Sequence, residues 1–384
     1  MKPRLRAASL VEGGIIWFLF FLPLNEVVME LGLLVSLGAY GWQLSQRTVA
    51  WPPLNLASYL FLALGLSSVT VAFFSPIAST SILFAVILLL SVLVVFLFFQ
   101  AQEPVSIKLS RYAHALLLGV SVLSLYHLGR HFSLYGLDFS EHRLGYDAYV
   151  SLFTAVALPW VFSLALNSSA KQRYLYGFWF LFLLACLILS FGRGAWVGAV
   201  CGLFLVSLGL SRKVMLVFCL CLLLGVSAIY PFIKSRARDL IRPESRSNAQ
   251  RIIGWQTALK MTRSYPLTGV GFANFKERYW SSEFRPVQAK AKLSHAHNIF
   301  LQLYAEQGII VGSLFFLLAL VFILKAIEAS VLAAKKNTVY SGGGAALLSL
   351  LILGQFACSM LIVPRIWFLF CFLGALLTQE RGDC

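Results

Sequence analysis

The stretch YLYGFWFLFLLACLILSFGRGAWVGAVCGLFLVSLGL, residues 174–210, carries a single charge in two helix-length apolar runs. A helix rises about 1.5 Å per residue and needs about 20 apolar residues to cross the hydrocarbon core of a bilayer. Residues 174–191 and 194–210 each approach that length, and Gly192, Arg193 and Gly194 between them read as a turn at a membrane edge. The rest of the chain has the same character. Its 384 residues are 59% hydrophobic and 12% charged, with mean hydropathy +0.82. Soluble domains carry about 25% charged residues, so a soluble two-domain enzyme is excluded. The 14% aromatic content, with 32 Phe, suits lipid-facing helices with interfacial aromatics.

Working outward with the same window gives about twelve spans: 8–24, 26–43, 54–73, 80–99, 112–128, 149–166, 174–191, 194–210, 214–231, 298–323, 343–362 and 365–379. The expected fold is therefore all-α, a polytopic transmembrane helical bundle over residues 1–384. A long polar loop, 232–296, is inserted between spans nine and ten. The basic N-terminus runs straight into an apolar stretch with no persuasive small-residue cleavage site, so it reads as a retained first span. Of the seven cysteines, Cys186, Cys201, Cys219, Cys221, Cys358 and Cys371 lie in apolar runs and Cys384 ends the sequence. They have no metal-binding spacing and read as packing residues.

Charge placement orients the bundle. With the N-terminus in the cytoplasm, the short inside loops hold 14 Lys or Arg and the short outside loops hold four, Arg130, Arg143, Arg193 and Arg365. Both termini are then cytoplasmic, and the 232–296 loop faces outward. That loop carries 13 Lys or Arg against Asp239, Glu244, Glu277 and Glu283, an excess of nine. One reading of such an excess is attraction to anionic lipid headgroups. The functional reading is a phosphate-bearing ligand handled at the outer surface, with nucleic acid excluded by the compartment.

Three polar constellations fall on that face. The first is Ser190–Trp196, in which Arg193 stands between two apolar helices; it either snorkels to headgroups or marks a site. The second runs from Arg251 through Trp255 to Lys260, then Tyr265-Pro-Leu-Thr-Gly-Val-Gly-Phe272-Ala-Asn-Phe275. Its first half reads as an amphipathic helix with Ile252, Trp255, Leu259 and Met261 on one face, lying on the membrane or covering a cavity. Its second half reads as a turn. The third is Ser294-His295-Ala-His297-Asn298, the entry to span ten, with Glu306, Gln307 and Gly308 further on. Ser294 or His295 is expected near the N-cap, which puts His297 in the first turn, where the helix end favours anions. D-x-D, H-E-x-x-H, P-loop and G-x-S-x-G motifs are all missing, and the acidic residues are scattered. Metal and nucleotide chemistry are thereby disfavoured.

This arrangement resembles the O-antigen ligase and polymerase superfamily of bacterial envelope glycosyltransferases. The resemblance rests on Gly192–Arg193–Gly194–Ala195, on Arg251-x-x-x-Trp255 with Pro266-Leu-x-Gly269-Val-Gly271, and on His297–Asn298-x9-Gly308. The family's ligase motif ends G-x-x-G/T/Y; here Val311 takes the last place and Gly312 follows it. The resemblance implies a GT-C-like membrane enzyme that moves a glycan from undecaprenyl diphosphate to lipid A–core, at the periplasmic side of the bacterial inner membrane, with no cofactor, metal or ATP. It implies Arg193, Arg251 and His297 as catalytic residues, the two arginines holding the diphosphate. His295, Asn298, Arg236, Arg238 and Arg242 are supporting candidates. Chemistry agrees: negative charge grows on the departing diphosphate, and a guanidinium stays protonated and binds phosphate in a fork. Histidine titrates near neutral pH and can orient or deprotonate an acceptor hydroxyl. The alternatives are an O-antigen polymerase, a protein O-oligosaccharyltransferase and, in another class, a lipid or polysaccharide transporter. The transporter has Glu306 as the one feature in its favour.

Overall fold

The computed structural model describes residues 3–49, 51, 54–101, 106–136, 144, 149–166, 168–220, 222–224, 227, 246–284, 293–332, 338–356 and 364–378. These form α1 (Pro3–Phe21), α2 (Glu26–Ser45), α3 (Leu56–Phe73), α4 (Ala78–Gln100), α5 (Ser106–Tyr135), α6 (Tyr149–Leu166), α7 (Ala170–Leu189) and α8 (Arg193–Leu210). A further helical stretch begins at residue 212. Then come α9 (Arg246–Ser264), α10 (Phe275–Tyr279), α11 (Ile299–Leu332), α12 (Thr338–Leu353) and α13 (Pro364–Thr378). Among the described residues there is no strand. Among the described residues seven helices are long and apolar enough to cross a membrane, and four more are apolar but shorter. The chain is an all-α polytopic membrane protein. Of the expected ninth span, 214–231, residues 221, 225, 226 and 228–231 lie outside the described residues, as do Arg236, Arg238 and Arg242.

The turns are closed by local chemistry. Asn25 caps α2 by accepting from Val28 N at 3.1 Å, and Asn55 with Ser58 forms a capping box on α3. At the centre stands α6, almost wholly buried and packed against α5, α7, α8 and α12. Phenylalanine is not mainly a lipid-facing residue here, as the composition suggested. Phe18, Phe61, Phe96, Phe315 and Phe322 are fully buried, and the Phe61 ring lies 4.4 Å from Phe96 and 5.9 Å from Phe322. In lipid, helices gain little from leaving their solvent, so close packing between them supplies the association energy.

A second, smaller core belongs to the segment between α8 and α11, expected from its charge to be an outer segment. Ala258, Met261, Val270, Phe275, Tyr279, Phe284 and Leu293 bury together with Ala296 and Ala305. The outer segment is therefore built onto the beginning of α11 and shares its core.

That beginning is where the structure departs most from expectation. Span ten is not one straight helix. Gly308 has φ 78° and ψ −178°, which divides α11 into a short arm, 299–307, and a long arm, 309–332. The Phe300 ring lies 5.7 Å from Phe315 and 5.5 Å from Phe316. Along a straight helix residues 300 and 315 would stand about 22 Å apart. The chain doubles back, and the two arms lie side by side.

Candidate functional site

The reversal is held by the outer segment. A helix broken at one residue leaves backbone donors and acceptors without intrahelical partners, and the loop after α9 supplies them. Ile309 N donates to Pro266 O at 2.7 Å, Val270 N to Ala305 O at 2.8 Å and Gly271 N to Glu306 O at 2.9 Å. The expected Pro266–Gly271 turn is thus a clamp on the hairpin. A Cβ on Gly308 would sit 2.3 Å from Leu267 O, and one on Gly312 would sit 2.5 Å from the Tyr304 ring. Gly312, displaced by one from the family pattern, is what lets the short arm pack against the long one.

Glu306 and Gln307 are spent in the same clamp. Glu306 Oε1 accepts from Phe275 N at 3.0 Å and from Gln302 Nε2 at 2.9 Å. Gln307 Oε1 accepts from the Ser68 hydroxyl on α3. The carboxylate that favoured a transporter is a buried tie between α11 and the outer segment.

The other end of the short arm is different. Its N-cap is Asn298, not Ser294 or His295: Asn298 Oδ1 accepts from Phe300 N and Leu301 N, both at 3.0 Å. His297 consequently lies outside the first turn, in a left-handed conformation with φ 55°. This is uncommon for a residue with a side chain and costs on the order of 1–3 kcal/mol. The cost is offset by anchoring on both sides. Asn298 Nδ2 donates to Gln355 Oε1 at 3.1 Å, and Ile299 N donates to Gly354 O at 3.0 Å.

Arg251 reaches this point from above. On α9, Gly254 faces the Ala296 backbone closely, and Ala258 and Met261 are buried beneath the helix. The expected single apolar face is thus divided: Met261 packs inward, while Ile252, Trp255 and Leu259 remain exposed. Arg251 turns inward and sets its guanidinium 5.6 Å from the centre of the Phe356 ring. Its Nε is buried and without a hydrogen-bond partner. Burial, and then the neighbouring charge of Arg193, lower its pKa from the usual arginine range.

Arg193 arrives as the first residue of α8. The turn before it is fixed by Ser190 Oγ, which donates to Leu187 O at 2.6 Å and accepts from Gly192 N at 3.3 Å. Trp196 Nε1 also donates to Leu187 O, at 2.9 Å. Gly194 lies so close to Phe356 that a Cβ there would meet the Phe356 Cβ at 2.5 Å.

The histidines complete the group. The His295 and His297 rings are 4.3 Å apart, and Ser294 Oγ lies 2.7 Å from His295 Nδ1. Burial lowers the pKa of His295. His297 is held down to about 4 by burial, His295 and Arg251, against the opposing effect of a hydrogen bond to the Phe356 backbone. Its ring is neutral at pH 7. A neutral imidazole that donates one N–H to a carbonyl keeps its other nitrogen as an acceptor.

The structure therefore brings Arg193, Arg251, His295, His297 and Asn298 together around Phe356. Phe356 and Gln355 were missed at the sequence level because they sit inside an apolar span prediction, 343–362. The one signal was a glutamine near the end of that span. With the geometry established, comparison with known families can be set beside it. Residues 178–316 match the O-antigen ligase family model. That match, over about a third of the chain, supports an O-antigen ligase family protein. No curated protein matches it. The matched region holds Arg193, Arg251 and His297, whereas Gln355 and Phe356 lie beyond it. Together with the membrane helices, that match supports a membrane enzyme of the O-antigen ligase or polymerase type.

Proposed function

We propose that this ligase-family protein transfers a glycan from undecaprenyl diphosphate to the lipid A–core oligosaccharide, at the periplasmic face of the bacterial inner membrane. In this reading twelve spans cross the membrane and both termini are cytoplasmic. The observation that carries it is the meeting of Arg251, His297 and the Arg193–Gly194 turn at Phe356. Two guanidiniums that raise each other's energy form a site that a diphosphate would relieve.

In the reaction the acceptor oxygen bonds to the anomeric carbon while the bond from that carbon to the diphosphate oxygen breaks. The bonding electrons leave with the diphosphate, whose new charge meets Arg193 and Arg251. The acceptor's proton passes to the free ring nitrogen of His297. His295 and Asn298 hold that ring in place. The activated donor supplies the driving force, and the basic outer segment attracts an anionic acceptor.

The test is reconstituted transfer in liposomes with an undecaprenyl-diphosphate glycan and lipid A–core. Wild type is run beside Arg193→Ala, Arg251→Ala and His297→Ala. Glycan on lipid A–core with wild type alone is the expected result. Extension of the carrier-linked chain would make the protein a polymerase using the same residues. Folded wild type that transfers to neither acceptor would overturn the reading.

A further inference from the structure

The turn after α12, residues 354–356, lies outside the region that matches the family model, yet it reaches both His297 and Arg251. Gly354, Gln355 and Phe356 meet the entry to α11 residue for residue, in antiparallel order. Ile299 N donates to Gly354 O at 3.0 Å, Asn298 Nδ2 donates to Gln355 Oε1 at 3.1 Å, and the His297 ring bonds to the Phe356 backbone. That last bond favours the protonated ring, so the ring N–H donates and the carbonyl accepts. The turn is itself anchored to α12. Phe356 N donates to Leu353 O at 2.9 Å, Gln355 N to Ile352 O at 3.1 Å and Gln355 Nε2 to Leu351 O at 3.1 Å.

The Phe356 side chain serves a second group. The Arg251 guanidinium lies 5.6 Å from the centre of its ring, within the range of a cation–π contact. Arg251 Nε is buried without a hydrogen-bond partner, and among the described residues no carboxylate pairs with this arginine. A carboxylate in that place would hold the guanidinium but cancel its charge. An aromatic face holds it and leaves the charge for an anion. The ring is fixed from α8 as well: a Cβ on Gly194, the residue after Arg193, would lie 3.0 Å from Phe356 Cγ.

We propose that Phe356 is a positioning residue for the transfer: its carbonyl holds the His297 ring and its aromatic face seats the Arg251 guanidinium. One residue thereby sets the spacing between the group that takes the acceptor's proton and the cation that meets the leaving diphosphate. The carbonyl bond also fixes which imidazole nitrogen carries the proton, so the other stays an acceptor. The proposal rests on the reaction given above, and its binding component can be tested without turnover. A side-chain substitution keeps the carbonyl and so isolates the role of the ring.

Purified wild type, Phe356→Leu, Phe356→Tyr, Arg251→Ala and the double variant Phe356→Leu with Arg251→Ala are titrated in detergent with undecaprenyl diphosphate. Binding is read by native mass spectrometry, and transfer is assayed across pH. Phe356→Leu keeps an apolar side chain but not the aromatic face, and is expected to bind the carrier about tenfold more weakly. Its acid limb is expected to move to higher pH, because His297 is held down by burial, His295 and Arg251, and a loosened Arg251 acts on it less. Phe356→Tyr, which keeps the face, is expected to match wild type in both readouts. In the Arg251→Ala background, Phe356→Leu is expected to cost no more than about twofold further, since the group it seats is gone. Wild-type binding in Phe356→Leu, equal losses in the leucine and tyrosine variants, or additive losses in the double variant would make the ring a packing residue and overturn the proposal. So would a Phe356→Leu protein that aggregates. The expected binding pattern from a wild type that transfers nothing would leave the positioning role standing while the proposed function fell; transfer with none of these differences would do the reverse.

Discussion

The two ends of the short arm of α11 carry the same kind of sequence and do opposite things. Both are polar groups in an apolar setting: His295, His297 and Asn298 at one end, Glu306 and Gln307 at the other. At the Glu306 end the side chains are consumed by the fold, binding Phe275 N, Gln302 and Ser68. At the His297 end the fold fixes the side chains and leaves an imidazole nitrogen and the buried Nε of Arg251 uncommitted. Polarity inside a membrane protein shows that a group has a partner. Which partner it has decides between scaffold and site.

The comparison can be broken most directly at its chemical end. His297→Ala is expected to lower transfer about 10³-fold, within the range of a lost general base, while the protein stays folded and monodisperse. A similar loss from Glu306→Gln would dissolve the distinction. The reversal itself is the next largest effect. Gly308→Ala forces a side chain into φ 78° and against the Leu267 carbonyl, so a loss of about 3 kcal/mol is expected, seen as a lower unfolding midpoint in detergent.

Arg251→Ala sharpens the electrostatic side. Removing a cation from a developing oxyanion costs about 10²-fold, and it also removes one of the charges holding His297 down. In wild type, His297 is deprotonated throughout the neutral range, and kcat/KM for the free enzyme is expected to fall only as the pH approaches about 4. In Arg251→Ala the His297 pKa rises, so the acid limb moves to higher pH. A limb that stays in place would separate the two residues.

The smallest effects lie at the anchors. Asn298→Ala removes a side-chain cap and the bond to Gln355. It should cost about 1 kcal/mol of stability and lower kcat more than it raises the KM for donor, because it loosens the placement of His297. Glu306→Gln keeps an oxygen to accept from Phe275 N. It is expected to leave transfer within about threefold and stability within about 1 kcal/mol.

Much of this was legible in the sequence, in unequal measure. Apolar run length located the helices from α1 to α8, most to within about three residues, but it cut α5 short at both ends, 112–128 against Ser106–Tyr135, and began α1 five residues late. Arg193, Arg251 and His297 stood out because charges and imidazoles are conspicuous against so apolar a background. The turn at Pro266–Gly271 was visible from its glycines and proline. Its role was not, because the groups it satisfies are backbone atoms more than 30 residues later. The N-cap was misassigned for a related reason: Ser294, His295 and Asn298 all have side chains able to cap, and the contact of Asn298 with Gln355, in the turn after α12, helps select Asn298.

By itself, then, the sequence determined that this is a helical membrane protein with a long basic segment between apolar helices, and it singled out Arg193, Arg251 and His297. Hydropathy, charge and residue type are local properties, and local properties decide solvent and chemistry. Only the tertiary structure decided that span ten doubles back at Gly308, that Glu306 is a tie, and that Phe356 is where Arg251, His297 and Gly194 converge. Each of these depends on which distant backbone satisfies a buried donor or acceptor, and no window along the chain contains both partners.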